Sequence, residues 1–120
     1  MTKQQSRDRI ELVYGSLDML ILRTLLWGPT HEHGISKSIE RLSEETLKVE
    51  HGSLYPPLQR RRQEGWIAAA WGVSKNKHRA EYYRLTAAGR RQLVAETSRW
   101  ERFVRAITGV LRLAESGEGL

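Results

Sequence analysis

The chain has 120 residues, 39% of them apolar and 28% charged, with a formal net charge of +6. That balance fits one globular domain with a modest core and excludes a disordered chain. With no cysteine, neither a disulfide framework nor a thiolate zinc site is available, and a reducing cytoplasm is the natural setting.

The charge is localised. Residues 53 to 91 carry nine Lys or Arg against Glu64 and Glu81, which makes that segment +7 and leaves the remainder at −1. Residues 32 to 50 are mildly acidic, with five Glu against Lys37, Arg41 and Lys48. A concentrated basic segment suggests a surface built to meet phosphate. The longest apolar run, LDMLILRTLLW, spans 11 positions and includes Asp18 and Arg23, too short and too charged to cross a bilayer. The first residues contain no apolar core of the kind a secretory signal needs.

In chain order, Leu17, Leu20, Ile21, Thr24 and Leu25 have helical spacing, with Ser16 as the expected N-cap and Gly28-Pro29 as the stop. A short second helix follows in HGISKSIERLS, with Ile35, Ile39 and Leu42 on its apolar face. Next comes GSLYPPLQRRRQEGW. Here Ser53 can cap a turn, Tyr55 and Pro56 are expected in an irregular or 3₁₀ first turn, and regular helix should run from about Pro56 to Glu64 until Gly65 stops it. Leu54 and Leu58 share a face, but Arg61 occupies the next position on it, where an apolar residue is expected.

The period then changes. WIAAAWG and AEYYRLT read as strands around a basic turn, VSKNKHR, with Asn76 at its centre, and in the second strand Tyr82 and Arg84 face opposite to Tyr83 and Leu85. Thr86 should cap a last helix running toward Ser116. On it Leu93, Thr97, Trp100, Val104, Ile107 and Leu111 form a heptad seam, broadened by Phe103, Val110 and Ala114. That stripe can pack on the first helix, pair with a second copy of the chain, or do both. The expected fold class is mainly α with a small β-hairpin, a winged helix-turn-helix plus a long C-terminal helix.

At this level of detail the sequence resembles PadR-family transcriptional regulators. The resemblance rests on GSLDMLILRTL (15–25), GPTHEHGI (28–35), VEHGSLYPPLQR (49–60), GWI (65–67) and SKNKHRAEYYRLTAAGRRQL (74–93). It is similar to the short subgroup with one C-terminal helix. The chain departs from the family pattern at Glu32-His33, where Gly-Tyr is usual, at Pro57, which replaces Ala at the expected groove-facing end of the third helix, and at Arg61-Arg62, in place of Leu-Glu. With an arm or short helix at 1–14 and a tail at 117–120 that should fray, the resemblance implies a DNA-binding domain at 15–86 and a dimerisation helix at 87–116. It also implies a homodimeric repressor acting on double-stranded DNA, with the third helices in adjacent major grooves and the wings on the flanking backbone or minor groove.

Candidate DNA contacts follow. Ser53, Tyr55 and the backbone amides at the start of the third helix can meet phosphate or a base edge, Gln59 can read adenine, and Pro56 can touch a thymine methyl group. Arg60, Arg62, Lys75, Lys77, His78 and Arg79 can hold the backbone or enter the minor groove, with Ser36 and Lys37 as lesser phosphate contacts. Each has a plainer reading: Tyr55 as a packing aromatic, the cations as a solvated surface. The dimer seam would be Leu93, Thr97, Trp100, Phe103, Val104, Ile107 and Leu111. Some family members bind planar aromatic molecules at the dimer interface, which makes Trp100 a candidate small-molecule effector contact; its plainer role is packing. His31 and His33 form an H-x-H pair without a third ligand, so they read as turn histidines, and neither metal nor cofactor is expected. No catalytic constellation is present. The rival reading is a winged-helix module for protein partners, which would have no use for so concentrated a positive charge.

Overall fold

The structure, a computed structural model, describes residues 16–50 and 52–116, with side chains to residue 113. The expected arm at 1–14 and tail at 117–120 lie outside the described residues. Helix α1 occupies residues 16–24 and tightens into a 3₁₀ turn at Leu25–Trp27. Ser16 is already inside this helix, so it is not the N-cap the sequence suggests. Leu17, Ile21, Leu22 and Leu25 are buried, and the buried Thr24 hydroxyl returns a hydrogen bond to the Ile21 carbonyl at 2.8 Å.

A two-residue strand, β1 (Thr30–His31), leads into α2 (Glu32–Leu42). The His31 ring takes the N-cap role, its Nδ1 accepting from the Gly34 amide at 2.9 Å. Ile35 and Ile39 are buried, but Leu42, expected on the same face, is 51% exposed. The helix ends there: Glu45 N–H bonds the Glu40 carbonyl and Glu44 N–H the Arg41 carbonyl, with Glu44 in the left-handed region at φ 52°. Leu47 and Val49 of the following linker pack on the core instead.

Helix α3 covers Tyr55–Gln63 and is regular from its first residue, without the irregular turn expected at Tyr55-Pro56. Prolines in the first turn arrive with helical φ already set and lack only donors the helix would leave unused. Leu54 occupies the N-cap and Ser53 makes no capping bond. The inward stripe is Leu54, Pro57, Leu58 and Arg61, so Pro57 is buried and not groove-facing. Gly65, at φ 79°, closes the helix: its N–H bonds the Arg62 carbonyl and the Trp66 N–H bonds that of Arg61.

Strands β2 (Ile67–Val73) and β3 (Arg79–Leu85) form the expected hairpin, and β1 adds an unforeseen third strand to give the order β1-β3-β2, all antiparallel. The left-handed residue of the turn is Lys77, at φ 62°, not Asn76. Thr86 caps α4 (Ala87–Ser116), its hydroxyl accepting from the Gly89 amide at 3.0 Å and donating to the Gly65 carbonyl at 2.6 Å. A side chain at Gly89 would overlap the Trp66 carbonyl oxygen, so glycine there lets α4 lie against the root of β2.

Arg61 is accommodated by a partner far away in sequence. Its Nη1 donates to Asp18 Oδ2 on α1 at 2.8 Å, its Nη2 to Glu64 at 3.1 Å, and the guanidinium lies 4.9 Å from the Trp66 ring centroid. Only 13% of its side chain is exposed, against 28% for Asp18, a setting in which losing one partner costs more than the pair contributes. Arg61→Ala should therefore lower unfolding free energy by about 1–3 kcal/mol in chemical denaturation. A cycle with Asp18→Asn should return a coupling of roughly 1 kcal/mol, and additive single changes would show that the two helices are held by packing alone.

Candidate nucleic-acid interface

Because Leu54, Pro57, Leu58 and Arg61 turn inward, Tyr55, Pro56 and Arg60 are left on the outside of α3, with Tyr55 54% exposed. Ser53 is exposed beside them, but its amide is bonded to the Glu50 carbonyl at 3.0 Å. Two of the first three helical residues are prolines, so Tyr55 alone of those three has a backbone N–H to offer an anion. Side chains must carry the contacts that a bare helix start would otherwise make.

The remaining expected residues divide into free and engaged groups. Lys37, Arg60, Lys75 and Lys77 are exposed and in no ion pair among the described residues. His78 is exposed at the turn, its amide bonded to Ser74 Oγ at 3.3 Å. Arg62 reaches across to β3 and donates to Glu81 at 3.0 Å. The Ser36 hydroxyl donates to the Val49 carbonyl at 3.3 Å and so anchors the linker before α3. Gln59 is half-buried, and its Nε2 is enclosed without a partner among the described residues. Arg79 lies over the Trp71 ring, 5.0 Å from its centroid.

The sequence marks Trp71 only as a strand residue and Val73 as part of the turn, yet Val73 closes β2 and both side chains are exposed. The alternation that buries Ile67 puts them on the same face of the hairpin, beyond the reach of the core. That spacing was the available signal. His31 caps α2 and meets Tyr82 edge-on at 5.3 Å, and no group of three or more His, Cys, Asp or Glu able to hold a metal occurs among the described residues.

On α4 the seam changes character along its length. Leu93 is buried, Thr97 half-buried, and from Trp100 outward Phe103, Val104, Ile107 and Leu111 are exposed. Trp100 and Phe103, with ring centroids 5.9 Å apart, line a cleft of about 390 Å³ with Asp18 and Met19 of α1 and Glu96 and Arg99 of α4. No described helix is long and apolar enough to cross a membrane.

Residues 21–95 match the family model described as the transcriptional regulator PadR-like family. The chain belongs to that family. It is a DNA-binding regulator of transcription, and solved PadR-like structures share its fold. A transcriptional regulator from Clostridium thermocellum is 27% identical and superposes with a TM-score of 0.74, over 82% of this chain and 96% of that one. A PadR-family regulator from Eggerthella lenta is 29% identical, with a TM-score of 0.72 over 88% of this chain and 90% of its own. At 23% identity, a PadR-like regulator from Bacillus cereus shares the fold with a TM-score of 0.73 over 84% and 96% of the two chains. In this PadR-like regulator, then, α2 and α3 are the helix-turn-helix and β2–β3 the wing.

Tyr83 of β3 is buried, and its phenol donates to Glu81 at 3.2 Å. Burial first, then the charge and hydrogen bond of Glu81, with smaller effects of Glu32 and Tyr55, push it up to about 12. A raised value means that the folded state holds the proton more tightly. Its contribution is complete below pH 10, the ordinary value, and is lost as pH rises through about 12. In an ultraviolet titration of the folded protein, Tyr83 should give a late step near pH 12, and Tyr83→Phe should remove it. A late step surviving in Tyr83→Phe would assign it elsewhere.

Proposed function

We propose that this PadR-like regulator is a homodimeric repressor that acts in the cytoplasm on a pseudo-palindromic operator, without catalysis. The observation that carries this reading is the division of labour on α3: its inward stripe is filled, while Tyr55, Pro56 and Arg60 face outward. Tyr55 and Pro56 would meet base edges in the major groove, with Ser53 and Arg60 on phosphates. Lys75, Lys77 and His78 would hold the backbone beside the wing, with Lys37 as an outlying phosphate contact. Gln59, Ser36 and Arg62 would serve mainly by keeping the helices in place, Gln59 reaching a base only if its half-buried amide turns outward.

Dimer formation is supported by the bare seam of α4 from Trp100 to Leu111, since an apolar stripe that finds no cover among the described residues is covered most simply by its symmetry mate. Two copies of the seam would place two α3 helices on one face, and a dimer seated on an operator represses by occupying it.

Titration of the full-length protein with its own promoter duplex and with a scrambled duplex, at two salt concentrations, tests the reading. Preference for the promoter should reach roughly a thousandfold. If Lys37, Arg60, Lys75 and Lys77 of each subunit neutralise phosphates, the log–log salt slope should be about −7. Tyr55→Ala should cost roughly 1–3 kcal/mol on the promoter and much less on the scrambled duplex. Failure to bind either duplex at low salt would favour the rival protein-interaction module.

The α1–α4 cleft also fits a planar effector, with Trp100 and Phe103 as walls and Asp18 and Glu96 as anionic groups. A panel of planar aromatic cations should quench Trp100 fluorescence in the wild type but leave Trp100→Leu unaffected. No quenching by any member would leave Trp100 a packing residue.

A further inference from the structure

Cross-strand partners in the hairpin share a face, and one face carries the pairs Ile67–Leu85, Ala69–Tyr83, Trp71–Glu81 and Val73–Arg79. Its root is core: Ile67, Leu85 and Tyr83 are buried. Its outer half packs on no core residue among the described residues, and Trp71 and Val73 are 62% and 67% exposed. Solvent alone would be better served there by polar residues.

Three features around this pair point to what it meets. Arg79 is stacked on the Trp71 ring, which holds the guanidinium in place before any partner arrives. Glu81, the one acid between residues 67 and 85, lies directly across from Trp71, but its carboxylate is occupied by Arg62 and by the Tyr83 hydroxyl. Lys75 and Lys77 stand at the tip. Arg62 also ties this face to α3, so it is continuous with the surface proposed for the operator.

We infer that Trp71 and Val73, with Arg79 stacked on Trp71, form an apolar wedge with which the wing enters the minor groove of duplex DNA beside the site met by α3. Sugar rings give that groove apolar walls, and the phosphates at its edges match the cations around the wedge. Trp71 and Val73 pack on the sugars, Arg79 reaches into the groove, and Lys75 and Lys77 hold the flanking backbone. Because a narrow minor groove attracts arginine, the flank beneath the wing is A·T-rich. A protein partner would need a surface both acidic and apolar; DNA supplies both properties together.

The inference rests on the operator-binding reading, and the test separates the two. Full-length wild type, Trp71→Ala and Val73→Thr are titrated with the promoter duplex and with the scrambled duplex, and their melting is followed alongside. Trp71→Ala should weaken promoter binding about tenfold or more, with Val73→Thr following in the same direction and melting close to wild type. Netropsin, which occupies A·T minor grooves, should weaken the wild type more than Trp71→Ala. Wild-type affinity in both variants, while the wild type still prefers its promoter, overturns the wedge and leaves the operator reading intact. If the wild type prefers neither duplex, the operator reading fails and the wedge fails with it. Should Trp71→Ala not fold, Val73→Thr together with netropsin competition decides.

Discussion

Arg61 sits where a nine-residue helix has run out of apolar side chains. Leu54, Pro57 and Leu58 anchor the first two turns of α3, and the next inward position carries a guanidinium that water would normally claim. Asp18 meets it from α1, and Trp66 covers its flat face. Carboxylate and ring together allow a charge to occupy a core-facing position, although its Nε still has no partner among the described residues. Turning α3 so that another face met the core would pull the guanidinium off both. An ion pair of this kind adds modest net stability but restricts orientation strongly. Orientation is what the outer face of α3 needs, because Tyr55 and Arg60 face outward only while Arg61 faces inward.

Arg62 acts on the other flank. Its bond to Glu81 joins α3 to the wing, and Tyr83 fixes the same carboxylate from below. Neighbouring arginines thus strap α3 to α1 on one side and to β3 on the other. In the sequence the two cations read as a single basic patch, yet each is engaged by a carboxylate of the protein itself. Among the expected DNA contacts, the cations in no ion pair among the described residues are Arg60, Lys37 and those of the wing.

This division explains which features were legible in the sequence. The helix order, the hairpin, the Thr86 cap and the seam of α4 follow from local spacing and local chemistry, and each is present. Pro57 was legible too, since Leu54, Pro57, Leu58 and Arg61 have the i, i+3, i+4, i+7 spacing of one helix face; expecting it in the groove gave too little weight to that period. Strand β1 was not legible, because two residues carry no periodicity and only pairing with Tyr82 and Tyr83 makes them a strand. Leu42 fits the apolar face of α2 by spacing but stands at the helix end, where the chain turns away. The partners of Arg61 and Arg62 lie 43 and 19 residues away, on elements whose mutual placement no local pattern encodes. Among the site residues, sequence spacing identified the basic ones but could not separate free cations from engaged ones.

Trp66 is where these constraints join. Its amide closes α3, its ring lies beneath Arg61, and its carbonyl accepts the Thr86 N–H at 3.1 Å just before α4 begins. Gly89 brings α4 against that same carbonyl. The root of the long helix is therefore fixed to the end of α3 and the base of the wing through one residue, with no flexible linker between them. In the proposed dimer, the angle at which two α4 helices cross would pass directly to both DNA-contacting elements. The seam of α4 would then set the separation of the two half-sites as well as the stability of the pair. A ligand wedged between α1 and α4 at Trp100 would alter that separation without touching a DNA contact, and Asp18, which lines the cleft and holds Arg61, would be the first residue to register it.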